Sequence, residues 1–162
     1  MSEGDSFQIR LYQTDDRDHV LALNRYGLQA AGVPADADVY AGDLDDITAT
    51  YLTGRAVMLV GTIGKRVVAM GGLREVDQQA CEILRMRVDP EAQGRGYGRV
   101  ILQALEQHAR QLGFSRATLL TGPDQHPAID LYQSAGYEHA GREDHGNLAG
   151  VRLTKSLTAP DR

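Results

Sequence analysis

A single cysteine, Cys81, leaves no partner for a disulfide, and its place inside an apolar run suits a reducing compartment. No apolar run approaches the roughly 20 residues that a membrane span needs. The opening MSEGDSFQIR lacks the basic start, apolar middle and small-residue cleavage site of a secretory leader. The expectation is a soluble, cytoplasmic protein with no membrane partner. Positive charge is not in excess either: the net charge is −5 and the basic residues are scattered rather than striped, which excludes a field that would draw nucleic acid. Metal-ligand spacing is also missing. His139 and His145 in HAGREDH match neither helical nor finger-like patterns, so no metal is expected. Without repeats, low-complexity tracts or linkers, and with 42% hydrophobic residues, residues 1–162 read as a single domain that can bury a core without staples.

What is present is mixed periodicity. FQIRLY alternates as a first strand, and TDDRDHVLALN opens a helix that Thr14 can cap. A loop, AAGVPADADVYAG, leads to a second helix in GDLDDITATYLTG, capped by Asp43 or Asp45 and closed by Gly54. RAVMLVGTI, RVVAMGGLR and CEILRMRV then read as an antiparallel meander. In YGRVILQALEQHARQLG, Ile101, Leu105, Ala109 and Leu112 share one helical face, Glu106 pairs with Arg110 four residues on, and Gly113 stops the helix. RATLLTG is a buried-type strand, PAIDLYQSAG a short helix and VRLTKSL a last strand. The strand–helix–strand order over 81–121 implies a parallel crossover beside hairpin-linked strands, hence an α/β fold with a mixed sheet.

The segment QGRGYGRVIL is chemically odd. Alternate glycines can turn several backbone N–H groups toward one point at a helix start, which makes an anion site; the alternative is a tight turn into the helix. A helix N-terminus carries about half a positive charge and prefers acids, yet Arg95 and Arg99 stand there and no acid occurs between Glu91 and Glu106. A bound anion, with phosphate the obvious candidate, reconciles these charges. The P-loop and dinucleotide fingerprints are both absent, and the preceding strand holds Glu82, Arg85 and Arg87, too polar for a doubly wound sheet.

These residues carry a resemblance. ILRMRVDPEAQGRGYGRVILQALEQHARQLGF followed by AIDLYQSAGYE resembles the GNAT superfamily of N-acetyltransferases. The first motif, Arg/Gln-x-x-Gly-x-Gly/Ala, is met by Gln93, Gly96 and Gly98 after Val88, Asp89 and Pro90. The second is met by Ala128, Leu131, Tyr132, Gly136 and Tyr137. The resemblance implies a mostly antiparallel sheet splayed between two central parallel strands and flanked by helices. It also implies an acetyl-CoA site, with the pyrophosphate on the backbone amides of Gly94, Arg95, Gly96, Tyr97, Gly98 and Arg99 next to Gln93. The pantetheine arm would pair with the fourth strand through Met86 and Val88, as in strand addition, and the Val88 N–H would stabilise the developing oxyanion. Near Ala128, Gln125 stands where the family often has Asn, a longer side chain with the same donor and acceptor.

For proton transfer the resemblance points to Glu82 as general base, acting through water, and to Tyr132 as the acid for the departing thiolate. Strand alternation sets Glu82 on one face with Leu84, Met86 and Val88 unless a bulge breaks the parity. An ordinary ion pair for Glu82, and plain packing for Tyr132, are the competing readings. The expected reaction is direct acetyl transfer from acetyl-CoA to a primary amine of a small molecule or peptide. Asp36, Asp38, Asp43, Asp45 and Asp46 are candidates to line a pocket for a cationic amine, or else act as caps and solvated loop faces. A non-catalytic acetyl-CoA-binding sensor is the alternative, and the resemblance raises a homodimer as a further expectation.

Overall fold

The computed structural model describes residues 6–158; residues 1–5, part of the opening read above for a leader, and residues 159–162 lie outside the described residues. The strands are β1 (Phe7–Leu11), β2 (Val57–Ile63), β3 (Arg66–Glu75), β4 (Ala80–Val88), β5 (Arg116–Thr121), β6 (Glu138–Arg142) and β7 (Val151–Ser156). They form one seven-stranded sheet in the order β1-β2-β3-β4-β5-β7-β6. The meander read from the sequence is antiparallel throughout, and β4 with β5 is the parallel pair. Helices α1 (Arg17–Ala30) and α2 (Ile47–Tyr51) cover one face, while α3 (Tyr97–Gln111) and α4 (His126–Ser134) cover the other.

Two cores result. Ile101, Leu102, Leu105 and Ala109 form the buried stripe of α3 and meet Leu59, Leu73, Ile83 and Leu119 of the sheet. Val20, Leu23, Ile47 and Tyr51 meet Met58, Val60, Met70 and Leu84 on the opposite face. Gly71 lets α3 approach closely, since a Cβ there would stand 2.7 Å from Ile101 and 2.9 Å from Leu105.

Several local expectations are corrected. A 3-10 turn, Thr14–Asp16, precedes α1, with Gln13 rather than Thr14 at its cap position; the Gln13 N–H donates to Asp16 Oδ2 at 2.8 Å. Asp46, not Asp43 or Asp45, caps α2 by accepting from Ala49 N at 3.1 Å. Glu106 does not pair with Arg110. It is buried, bonded to Lys155 Nζ at 2.9 Å and Tyr137 Oη at 2.8 Å, while Arg110 donates to the Leu157 carbonyl. β6, over a stretch to which the sequence reading assigned no element, is a strand at the sheet edge.

The bulge allowed for above is present in β4. Met70 faces Arg87 but Gly72 faces Leu84, so β4 carries one extra residue, and Arg85 has a φ of 58°. Glu82 and Leu84 therefore share the α1 face with Arg85 and Arg87, whereas Met86 and Val88 turn to the α3 face. The uninterrupted alternation of Glu82, Leu84, Met86 and Val88 is thereby overturned.

Candidate active site

Parallel pairing of β4 with β5 is confined to Ala80↔Arg116, Cys81↔Ala117 and Glu82↔Thr118. Beyond it β5 stays paired with β7 to Val151, while β4 runs on to Val88 with its far edge open. Asp89 N donates to Val68 O at 2.7 Å, which makes Ala69↔Val88 a non-hydrogen-bonded pair. The Val88 N–H and C=O therefore point away from β3 into the opening, and those of Met86 do so by the same alternation. Gln93 Nε2 reaches the Val88 carbonyl at 3.2 Å from that side.

The glycine segment lies at the end of this edge. Gly94 and Gly96 take φ values of 80° and 83°, and a Cβ at either would meet nothing within 4 Å. Gly96 is the N-cap of α3 without a side-chain cap. Among the described residues, the N–H groups from Gly94 to Gly98 donate to no backbone carbonyl, leaving a concave set of free donors at a helix N-terminus. A Cβ added at Gly98 would stand 3.4 Å from Leu131 and 3.8 Å from Val88. The nearest acid, Glu91, is turned to Arg66 at 2.9 Å. Arg95 and Arg99 have no carboxylate partner among the described residues; Arg99 reaches Ser134 Oγ. Tyr97 stacks its ring on Phe7 at 3.9 Å, so its side chain is committed to packing and only its amide faces the cradle. A diphosphate fits these donors and charges.

Glu82 is 7% exposed. Its Oε2 accepts from Tyr40 Oη at 2.8 Å and Arg152 Nη1 at 2.9 Å, while Oε1 has only a 3.5 Å contact with Arg74. Arg152 also grips Glu143, whose Oε2 faces His145 Nε2 at 2.8 Å. Burial and the neighbouring Glu82 push the Tyr40 phenol well above its usual pKa, so it stays a neutral donor.

Arg85 uses its bulged backbone to reach the α1–α2 connection. Its guanidinium holds Asp43 at 2.6 and 3.0 Å, Asp38 at 2.7 and 3.1 Å, and Asn24 at 3.1 Å; these carboxylates raise its pKa against the opposing effect of burial. Tyr51 Oη completes the shell of Asp43. Of the acids read as candidates to line a pocket for a cationic amine, Asp38 and Asp43 are thus consumed internally and Asp46 caps α2. A cleft of about 530 Å³ lies between residues 34–39 and residues 145–148 of the β6–β7 connection, with Asp36 and Asp38 on one wall and His145 and Asn147 on the other.

Tyr132, on α4, is 8% exposed. Burial pushes its phenol up to about 12, against the pull of the Arg87 charge. Arg87 has no carboxylate within salt-bridge reach among the described residues, and only Asn24 Oδ1 accepts from it, at 3.3 Å; burial and then Arg85 lower its pKa. Gln125 is the N-cap of α4, and Ala128 packs from α4 onto the core. Sequence reasoning missed Tyr40, Arg74 and Arg152 as partners of Glu82, and Asp38 and Asp43 as partners of Arg85; the polar residues of CEILRMRV were the available signal.

A sheet that parts between two parallel strands above an uncapped glycine cradle defines the fold of the acetyltransferases. Solved structures share it: an acetyltransferase of the GNAT family from Staphylococcus aureus Mu50 (TM-score 0.83, 15% identity, 94% of this chain and 100% of that one), and yncA from Salmonella typhimurium, solved with its cofactor acetyl-CoA (TM-score 0.76, 21% identity, 96% and 98%). The chain belongs to the GNAT family: residues 29–137 match the family model described as Acetyltransferase (GNAT) family. Among curated relatives, N-acetyltransferase 8 of Homo sapiens is 32% identical over 106 residues, covering 62% of this chain and 47% of that protein. N-acetyltransferase family 8 member 2 of Rattus norvegicus is 30% identical over 104 residues, covering 61% and 46%. The chain spans about half the length of the curated relatives it matches.

Proposed function

We propose that the protein is an N-acetyltransferase that moves an acetyl group from acetyl-CoA to a primary amine by direct attack. The observation that carries this reading is the alignment of two sets of free donors along one opening: the outward N–H groups of Met86 and Val88 on β4 and the amides of Gly94 to Gly98. Acetyl-CoA would supply an acetyl group activated as a thioester. The cradle amides, with Gln93, Arg95 and Arg99, hold the diphosphate. The edges of Met86 and Val88 pair with an extended arm as an added strand would, with Gln125 and Ala128 bordering it from α4. Val88 N–H is fixed by strand pairing, so it offers a preorganised donor to negative charge building on a carbonyl oxygen.

The amine enters by the cleft between residues 34–39 and 145–148. Glu82 receives the proton. Its neutralising arginines and Tyr40 keep it in place, and Oε1 is the less engaged oxygen, with only the 3.5 Å contact to Arg74. Tyr132 donates to the departing sulfur. Because a thiol has a pKa near 8.5 and Tyr132 is pushed up to about 12, this transfer is uphill by roughly 5 kcal/mol without help, and the Arg87 charge acts in the helpful direction. Calorimetric titration with acetyl-CoA, paired with thiol-release assays over polyamines, amino acids, aminoglycosides and peptides, tests the reading. Tight binding without thiol release on any acceptor would instead identify a sensor.

A further inference from the structure

Two ion-paired anchors bracket Tyr40. Asp38, two residues before it, and Asp43, three after it, are both held by Arg85, with no contact longer than 3.1 Å. The Tyr40 N–H also donates to Asp38 Oδ1 at 3.2 Å. A guanidinium as buried as Arg85 is tolerated only when its charge and donors are satisfied, and a φ of 58° on a non-glycine residue persists only where surroundings impose it. The clamp therefore fixes the α1–α2 connection at one place, and the side chain it presents there is the Tyr40 phenol, 2.8 Å from Glu82 Oε2. Tyr40 follows directly on residues 34–39 of the cleft wall. Glu82 itself is buried beneath the phenol, and its Oε2 is already shared with Arg152.

We infer that Tyr40 is the proton relay between the acceptor amine and Glu82. As the amine nitrogen bonds to the carbonyl carbon it becomes cationic. Its N–H bond breaks toward Tyr40 Oη, and the bonding pair returns to nitrogen. In the same movement the Tyr40 O–H proton passes to Glu82 Oε2. Tyr40 ends as a neutral phenol and Glu82 as a carboxylic acid, which returns its proton to water after product leaves. The burial that keeps the phenol neutral suits such a relay, because Tyr40 then never rests as a phenolate.

The inference rests on the proposed transferase reading, and Tyr40→Phe separates the two. The ring and its contacts with Arg74 and Arg85 remain; only the hydroxyl goes. With an amine that the parent acetylates, the solvent deuterium isotope effect on kcat is expected to fall in the variant, because the relayed O–H proton is gone. With the same amine, kcat is expected to fall about a hundredfold, with acceptor KM and acetyl-CoA affinity little changed. A parental kcat or a parental solvent isotope effect in the variant overturns the relay. A parent that binds acetyl-CoA but releases no thiol with any amine overturns the transferase reading, and the relay with it.

Discussion

Gly27 of α1 and Arg87 of β4 share one volume: a Cβ at position 27 would stand 2.5 Å from Nε of Arg87 and 3.0 Å from its Cζ. The helix gives up a side chain so that Arg87, whose acceptor is Asn24 and which has no carboxylate partner among the described residues, can lie against it. Mid-helix glycine costs up to about 1 kcal/mol relative to alanine, so the space is kept at some expense. Gly27→Ala should accordingly lower stability in the parent, where the guanidinium must move. In an Arg87→Ala background the same change should raise it by about 0.5–1 kcal/mol. Urea unfolding of the four proteins checks the sign reversal; additive effects would mean that the two residues are not in contact.

The anion cradle is open to a charge test. Arg95→Glu should weaken acetyl-CoA binding at least tenfold at low salt, with the deficit shrinking as ionic strength rises. Stability should change by no more than about 0.5 kcal/mol, because Arg95 is exposed and has no carboxylate partner among the described residues. Calorimetric titration beside thermal unfolding distinguishes these effects, and unchanged affinity would remove the cradle from the proposal.

Tyr132 predicts a pH dependence with a definite sign. Its folded pKa is pushed up to about 12, above the ordinary value near 10. The folded state holds the phenolic proton more tightly, so the related stability is complete below about pH 10 and lost as pH rises toward 12, by roughly 2–3 kcal/mol in all. Denaturant midpoints between pH 9 and 11 should fall less steeply in Tyr132→Phe than in the parent. Equal slopes would place the phenol in water.

Glu106 anchors the far end of the sheet to α3. Removing it with Glu106→Ala leaves Tyr137 Oη and a largely covered Lys155 ammonium without their acceptor, a loss of about 2 kcal/mol or more. Glu106→Gln keeps one hydrogen bond and should cost less. Chemical unfolding checks the order.

Much of the fold was legible because its signals are local. The buried stripe of α3 and the hairpin-linked strands follow from periodicity, and the glycine segment stood out through arginines at a helix end that prefers acids. β6 was missed since its residues Glu138, His139 and Ala140 are exposed at the sheet edge, which leaves no alternation to read. The bulge at Arg85 has no glycine to mark it; partners some forty residues away impose its left-handed backbone. Capping also followed tertiary demand. Asp43 looked like a cap, but a buried guanidinium claimed it, and Asp46 took the role. Tyr40 lies in a stretch without periodicity, so only the folded chain brings it to Glu82.

The three residue pairs that join β4 to β5 have a mechanical consequence. Four strands ending in β4 and three beginning with β5 form two ladders that share only this corner, bridged by the helix that connects them and by the core beneath it. A molecule lying along the free edge of β4 would act as a rivet between them. Its binding should therefore slow amide exchange on both sides of the seam, in β5 as well as β4.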